Sequence, residues 1–322
     1  MEKFEYYSCN IIEHGFDAQI DSINLCCRAG NERITQKAIL IPNYKGGKID
    51  WNKFFLIKGK IQNLQKEGKS ISQCYGCVYL EKKQWDSEKY INSININNWI
   101  KCNANCIYCD RKFHKNKKEY NIYPIIKDLI NKDLLRNPTD ITIAGGEPTI
   151  TSDFDKTLKL LIKNKIKQVR ILTNGIKYNR YIQEGLKKNL INILISTDSG
   201  TRSTYYKIKL VDKHNDVWKN IKKYAQSQAE DTLVKTKYII IPHINDNRTE
   251  LKEFIEQNKI AGVKQTYIDV EIGTFANKCK DEAWTKGIYE LFEYAKELGQ
   301  NNGVEVLPFD RIKILENKFK TN

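Results

Sequence analysis

The chain has 322 residues, nine cysteines and a formal net charge of +15. It contains no run of about 18 apolar residues and no charged-then-apolar leader at Met1–Asn10, so we expect neither a membrane span nor a signal peptide. Nine cysteines in such a chain indicate metal ligands in a cytoplasmic protein rather than a disulfide framework.

The excess of positive charge has two interpretations. Lysines such as Lys156, Lys159 and Lys163 are scattered among asparagines and isoleucines, a pattern typical of solvated helix faces. We favour this interpretation, under which nucleic acid is not a partner. The other interpretation is an anionic substrate such as a nucleotide-sugar, a phosphate or RNA.

The first 92 residues hold five of the cysteines, Cys9, Cys26, Cys27, Cys74 and Cys77. The C-x2-C spacing of Cys74 and Cys77 lets two thiolates converge from a tight loop onto one metal. Adjacent residues of a strand face opposite ways, so only one of Cys26 and Cys27 should reach that metal. An iron–sulfur cluster, a four-cysteine zinc site that holds a small domain together, and no metal all stay open.

From residue 93 onward, short apolar runs alternate with amphipathic stretches. The strand-like runs are Ile94–Ile100, Asp140–Ala144, Gln168–Thr173, Ile191–Thr197, Val234–Pro242 and Gln265–Ile272. The helix-like stretches are Tyr123–Leu135, Phe154–Lys163, Tyr181–Asn189, Asp216–Gln228, Arg248–Ala261 and Asp281–Gln300, with Asp153 and Asn247 as caps of two of them. Six strand–helix units predict an α/β fold in which right-handed crossovers join parallel strands into an open barrel.

This pattern predicts three parts: a small cysteine-rich module at 1–92, the barrel at 93–308 and a C-terminal tail at 309–322. In β/α barrels the functional loops follow the C-terminal ends of the strands. Polar loops follow all six predicted strands, so we expect them on one face of the barrel. His243, after the fifth strand, is a weak candidate ligand on that face.

Three cysteines, Cys102, Cys106 and Cys109, have the spacing C-x3-C-x2-C and lie on the loop after the first of these strands. Nine randomly placed cysteines would give this spacing in roughly one such chain in 150. Three thiolates on one loop hold only three irons of a four-iron cube and leave the fourth open and reactive. His114 could complete a zinc site instead, but that spacing fits no common zinc finger.

The second predicted strand is followed by Gly145-Gly146-Glu147-Pro148. Glycines let the backbone approach a ligand closely, and a glutamate beside them can meet a cation. Together with the three-cysteine loop, this motif resembles the radical SAM superfamily.

The resemblance implies a partial (β/α)6 TIM-type barrel and a [4Fe–4S] cluster on Cys102, Cys106 and Cys109. The open iron would chelate the amino and carboxylate groups of S-adenosylmethionine (SAM). One electron, from a donor such as flavodoxin or ferredoxin, would then release a 5′-deoxyadenosyl radical. The implied SAM contacts are Tyr108 against adenine, Gly145, Gly146, Glu147 and Pro148 at the methionyl amino group, and Thr173, Asn174, Ser196 and Asp198 at the ribose and carboxylate.

The stretch Asp21–Cys27 resembles the hairpin strand of the SPASM and twitch auxiliary-cluster domains. This resemblance implies a second [4Fe–4S] cluster, with the aligned position favouring Cys26 over Cys27, and the ligands Cys9, Cys26, Cys74 and Cys77. Such modules usually follow the barrel, whereas this one precedes it, and a zinc site is the alternative.

Cys279 follows the sixth strand-like run. Several radical SAM epimerases use a cysteine as hydrogen-atom donor, and Cys279 is a candidate for that role or a bystander thiol. The predicted activity is hydrogen abstraction from a peptide or sugar-type substrate, leading to dehydrogenation, crosslinking or epimerisation. The alternatives are a tRNA-modifying radical SAM enzyme and a non-enzymatic metal-binding scaffold protein.

Overall fold

A computed structural model describes residues 6–24, 26, 39–67, 80–86, 88–111 and 117–320. The chain divides into two compact units. The first comprises Met1–Lys101 and Phe113–Arg170, and the second comprises Cys102–Lys112 and Ile171–Asn322. The fold is mixed α/β with parallel sheet, consistent with the partial TIM-type barrel predicted from the sequence.

The first unit is built on a sheet in which N-terminal strands extend the first barrel strands. Its elements are β1 (Tyr6–Ser8), α1 (Asn10–His14), β2 (Gly15–Gln19), β3 (Ser22–Asn24), β4 (Ile39–Ile41), α2 (Trp51–Lys66), β5 (Glu81–Lys83), β6 (Ile91–Asn97), α3 (Tyr123–Asn131), β7 (Leu135–Ile143) and α4 (Phe154–Lys163). The strand order is β7-β6-β2-β3-β4. β6 pairs in parallel with β7 and β2, and β3 pairs antiparallel with β2 and β4.

The second unit continues the alternation of strand and helix. After β8 (Val169–Thr173), which crosses the unit boundary, come α5 (Arg180–Lys187), β9 (Ile191–Ser196), α6 (Arg202–Lys209), α7 (His214–Ala225), β10 (Val234–Ile240), α8 (Arg248–Ala261), β11 (Gln265–Val270), α9 (Ile272–Lys278), α10 (Glu282–Asn302), β12 (Glu305–Pro308) and α11 (Asp310–Lys320). The order is β12-β11-β10-β9-β8, and β10 pairs in parallel with β9 and β11.

The apolar face of each strand packs against helices. Along β10 the buried residues alternate with partly buried ones, and Tyr238 contacts Phe254 of α8 with ring centroids 4.9 Å apart. In the first unit Ile94, Ile96 and Ile141 are buried in the same way. Apolar residues recur at every second position of these strands, the pattern that predicted them, because one face of the strand packs on helices.

All six predicted strands are present, and helices occupy the six predicted helical stretches. Asn247 caps α8 by accepting a hydrogen bond from the Glu250 amide, as predicted. Asp153 precedes α4, but its carboxylate accepts from Trp99 Nε1 and the Ile122 amide instead of capping the helix. The division at residues 92 and 308 stays a prediction, while the segment expected as a tail contains α11.

No membrane-spanning helix is present within the described ranges, since every helix there is too short or too polar to cross a bilayer.

Candidate functional site

The three-cysteine loop belongs to the second unit and is held by the C-terminal end of α6. The Asn105 amide donates to the Lys209 carbonyl at 2.9 Å, and the Ile107 amide donates to the Ile208 carbonyl at 3.0 Å. Carbonyls at a helix end lack partners within the helix, so the loop satisfies two groups that would otherwise need water. The loop conformation is therefore coupled to the position of α6.

The three cysteines of the loop differ in exposure. Cys102 is exposed, whereas Cys106 and Cys109 are partly buried. Free cysteine is among the most often buried residue types, so three incompletely buried cysteines on one short loop are unusual and suit metal ligands. Soft sulfur donors at this spacing fit an iron–sulfur cluster. In the part of the chain that is described, no group of three or more His, Cys, Asp or Glu side chains lies in an arrangement that could hold a metal ion.

Asn174 lies beside this loop, as expected for the end of the third barrel strand. Its Nδ2 donates to Asn103 Oδ1 at 2.7 Å and contacts Cys102 Sγ at 3.6 Å, while its Oδ1 accepts from the Ile176 amide. The structure thus brings together Asn174 and the first cysteine, two residues that the sequence motifs placed 72 positions apart.

A buried charge pair lies behind the loop. The Lys209 ammonium contacts the Asp198 carboxylate, and their side chains are 1% and 0% exposed. The Tyr108 hydroxyl donates to Asp198 Oδ2 at 2.5 Å and accepts from Lys209 Nζ at 3.1 Å. Tyr108, which precedes the last cysteine of the loop, is therefore held in place by the hydrogen bonds of its hydroxyl.

The ionisation of these groups follows from their burial and charges. Burial raises the pKa of the Tyr108 phenol well above its usual range, and the Asp198 carboxylate acts in the same direction. Burial disfavours the charged form of Lys209 and lowers its pKa. The Asp198 carboxylate outweighs this effect, so the pKa of Lys209 is raised overall. Burial also raises the pKa of the Cys106 thiol, and the Lys209 ammonium acts in the opposite direction. A fixed positive charge therefore lies near Cys106.

Asp198 is held from several sides in a left-handed backbone conformation, with φ +58°. Its Oδ1 accepts from the Ile239 amide at 2.9 Å, and its carbonyl accepts from Asn245 Nδ2 at 2.8 Å. Both carboxylate oxygens thus have hydrogen bonds within the protein. The SAM contact predicted for Asp198 stays a prediction, and the observed role is to hold Lys209 and Tyr108.

The Gly145–Pro148 motif lies in the first unit and contacts the segment that leads into the cysteine loop. A Cβ on Gly146 would lie 2.4 Å from the Lys101 carbonyl oxygen, and φ is +49° there, so glycine is required. The Glu147 amide donates to the same carbonyl at 2.7 Å. The Glu147 carboxylate is buried and accepts from the Thr149 amide and hydroxyl at 3.2 and 2.6 Å.

The other predicted residues have separate environments. Thr173 Oγ1 accepts from the Gly175 amide within a turn, and Ser196 at the end of β9 is partly buried. The Cys279 thiol donates to the Ala276 carbonyl at 3.7 Å, at the end of α9. His243 is exposed and has φ +65°.

The predicted N-terminal ligands are described only in part. Cys9 is buried and caps α1, its Sγ accepting from the Ile12 amide at 3.4 Å. Cys26 is partly buried, and Cys27, Cys74, Cys77 and His114 lie outside the described residues.

Three residues that contribute to the site carry no sequence signal. Lys209 lies on a short helix that the sequence did not predict, and Asn245 resembles an ordinary turn residue. Glu119 accepts from the amides of Ile100 and Lys101, both at 2.6 Å, and so fixes the segment before the cysteines. Each acts on a residue distant in the chain, and no local motif marks such contacts.

Comparison with known proteins gives one consistent family. The sequence model of the Radical SAM superfamily matches residues 99–257. A GTP 3',8-cyclase of Clostridium botulinum is 29% identical over 184 residues, which are 56% of this chain and 56% of the cyclase. The chain thus spans little more than half the length of the curated relatives that it matches first.

Solved structures share the fold. SuiB of Streptococcus suis has a TM-score of 0.55 and 13% identity, over 86% of this chain and 59% of SuiB, and a structure of SuiB bound to its precursor peptide SuiA is also similar. The structure of anSMEcpe with bound AdoMet has a TM-score of 0.50 and 19% identity, over 66% of this chain and 61% of that protein. These likenesses show a shared fold.

Proposed function

We propose that this chain, whose residues 99–257 match the Radical SAM superfamily, is an enzyme that cleaves SAM reductively and removes a hydrogen atom from a peptide substrate. The observation that carries the proposal is the loop of three cysteines held on α6 beside Asn174. A bound [4Fe–4S] cluster supplies the electron for SAM cleavage. A flavodoxin or a ferredoxin is the proposed donor of that electron.

In this proposal the chain positions the cluster loop and supplies its electrostatic environment. Cys102, Cys106 and Cys109 hold the cluster, and Asn174 orients the first thiol through its amide. Lys209 and Asp198 fix the hydroxyl of Tyr108, so that its ring is held next to Cys109 in the chain. The proposed SAM contacts remain Tyr108, Gly145–Pro148, Thr173, Asn174, Ser196 and Asp198.

A second [4Fe–4S] cluster on Cys9, Cys26, Cys74 and Cys77 belongs to the same proposal. Supporting it, the charges of Cys9 and Cys26 both act on the ammonium of buried Lys58. Burial lowers the pKa of Lys58 to about 7, and these two thiolates act in the opposite direction. Cys9 and Cys26 therefore both lie within electrostatic range of one buried ammonium. Such a cluster could accept an electron from the substrate, which suits dehydrogenation or crosslinking.

The substrate is argued from two similarities. SuiB is solved with its precursor peptide, and 100% of this chain is covered by that structure, which favours a peptide. A second candidate is a purine nucleotide, because the GTP 3',8-cyclase of Clostridium botulinum is 29% identical. Cys279 as hydrogen-atom donor would suit epimerisation, but its thiol donates to Ala276 and nothing else favours that outcome.

The test is the iron content and SAM cleavage of protein purified and reconstituted without oxygen. We expect about eight irons per chain, falling to about four when the three loop cysteines become alanine. SAM-derived 5′-deoxyadenosine should form with a reductant and disappear in the same variant. Cys279→Ala is the matched control, because it removes one cysteine outside both proposed ligand sets and should keep the iron content.

Three results would overturn parts of the proposal. Unchanged 5′-deoxyadenosine in the triple variant would exclude the loop as the reactive site. About four irons falling to none, with one zinc retained, would make the N-terminal site structural. Consumption of added GTP that requires Cys102, Cys106 and Cys109 would replace the peptide by the nucleotide.

A further inference from the structure

One face of the second unit's parallel sheet carries a row of polar residues. Ser196 of β9, Lys237 of β10 and Tyr267 of β11 are register partners. Thr236 and Tyr238, which alternate with Lys237, contact Asn258 and Phe254 of α8. Successive strand residues point to opposite faces, so Lys237 points away from α8, on what we call the inner face.

Among the described residues, the Lys237 ammonium has no hydrogen-bond or ion-pair partner. Its Nζ lies over the Phe309 ring, 5.8 Å from the centroid. Burial lowers the pKa of Lys237, and the Asp198 and Asp269 carboxylates act against that change. A partly buried ammonium without a hydrogen-bonded counter-charge is unfavourable, and an anionic ligand would supply one.

The nearby carboxylates are already engaged. Asp198 contacts Lys209 and Tyr108, as described above. Asp269 accepts from Arg311 Nη1 at 2.5 Å and from the Arg311 amide at 3.0 Å. Neither is available to neutralise Lys237 without losing its own partner.

Aromatic side chains flank the ammonium. Tyr267 and Phe309 pack edge to face, with centroids 5.5 Å apart, and Lys235 lies 5.8 Å from the Tyr267 centroid. Arg311 is 22% exposed and uses one of its side-chain nitrogens on Asp269, which leaves further N–H donors on its guanidinium. The inner face therefore presents cationic groups beside an apolar wall.

We propose that Lys237 binds an oxyanion of the substrate, a carboxylate or a phosphate, against the Tyr267–Phe309 pair. The site would select substrates that carry a negative group at a fixed distance from the reacting carbon. This inference rests on the proposed function, because it takes the inner face as the substrate site. The two oxyanions share one chemistry, that of a charge-assisted hydrogen bond to an ammonium.

Calorimetric titration of the reconstituted protein without SAM tests the inference. GTP is the phosphate probe, and a pentapeptide with a central glutamate, blocked at both ends, is the carboxylate probe. We expect one probe to bind, with affinity at least about tenfold lower in Lys237→Met and largely retained in Lys237→Arg. Lys222→Met is the matched control, an exposed lysine on α7, and should bind as the parent does.

The outcomes separate this inference from the proposed function. Equal binding by the parent and Lys237→Met, with both folded by circular dichroism, would overturn the inference, as would no binding of either probe. Absence of 5′-deoxyadenosine from the parent protein would overturn the proposed function and leave the binding result standing. The probe that binds identifies the oxyanion.

Discussion

Replacement of Lys209 by methionine isolates the role of the buried charge pair behind the cysteine loop. Methionine keeps much of the side-chain volume but removes the ammonium between Asp198 and Tyr108. Asp198 would then be a buried carboxylate whose Oδ2 keeps only the Tyr108 hydroxyl, while Oδ1 keeps the Ile239 amide. Removing one partner of a buried pair costs about 3–5 kcal/mol.

The retained hydrogen bonds to Asp198 place the expected loss of unfolding free energy near the low end, about 3 kcal/mol. Urea denaturation of the protein without metal measures it. Arg202→Met is the matched control on the same helix, because Arg202 pairs with Asp212 at the surface, with side chains 64% and 52% exposed. Exposed pairs contribute little, so this control should unfold close to the parent.

The double variant of Lys209→Met with Asp198→Asn gives a second test. Replacing both charges avoids the unpaired buried carboxylate, so this variant should be more stable than Lys209→Met alone. Amide hydrogen exchange at Asn105 and Ile107, which donate to α6, should quicken in Lys209→Met and stay unchanged in Arg202→Met. Equal unfolding free energies for Lys209→Met and Arg202→Met would refute the reasoning.

Two further predictions concern the first unit. Gly146→Ala, whose Cβ would collide with the Lys101 carbonyl at φ +49°, should lower the unfolding free energy by about 1–3 kcal/mol and reduce iron retention after reconstitution. Gly59→Ala is the control, because a Cβ at this position of α2 would meet open space. It should lower neither the unfolding free energy nor the iron retention, and equal effects of the two variants would contradict this account. Burial raises the pKa of Glu13, but hydrogen bonds, with His14 first, lower it overall from 4.5 to about 2. Its folded pKa is depressed, so its contribution of about 3 kcal/mol should be present above pH 4.5 and disappear as the pH falls to about 2. Urea titrations across that range should show a shallower pH dependence in Glu13→Gln, and an unchanged slope would contradict the assignment.

The strands were predictable because their signal is local. Each of the six has apolar residues on the helix-facing side, as along β10, where Val234, Thr236, Tyr238 and Ile240 are buried. The cysteine loop was predictable for the same reason, since its three ligands lie within eight residues of one another. The α6 helix was not, because its eight residues bury few apolar side chains, with Tyr205 and Ile208 among them.

The lysines show most clearly what the sequence could not reveal. Lys207 and Lys209 stand two positions apart in one charged run, yet Lys207 is exposed and Lys209 is buried against Asp198. What distinguishes them is a contact to Tyr108, 101 residues away in the chain. The scattered lysines that were interpreted as solvated, such as Lys156, Lys159 and Lys163, are exposed, whereas Lys209 is buried and Lys237 on the inner face is partly buried. Part of the positive charge therefore lies beside the cysteine loop and on the proposed substrate face, where an anionic ligand would be bound.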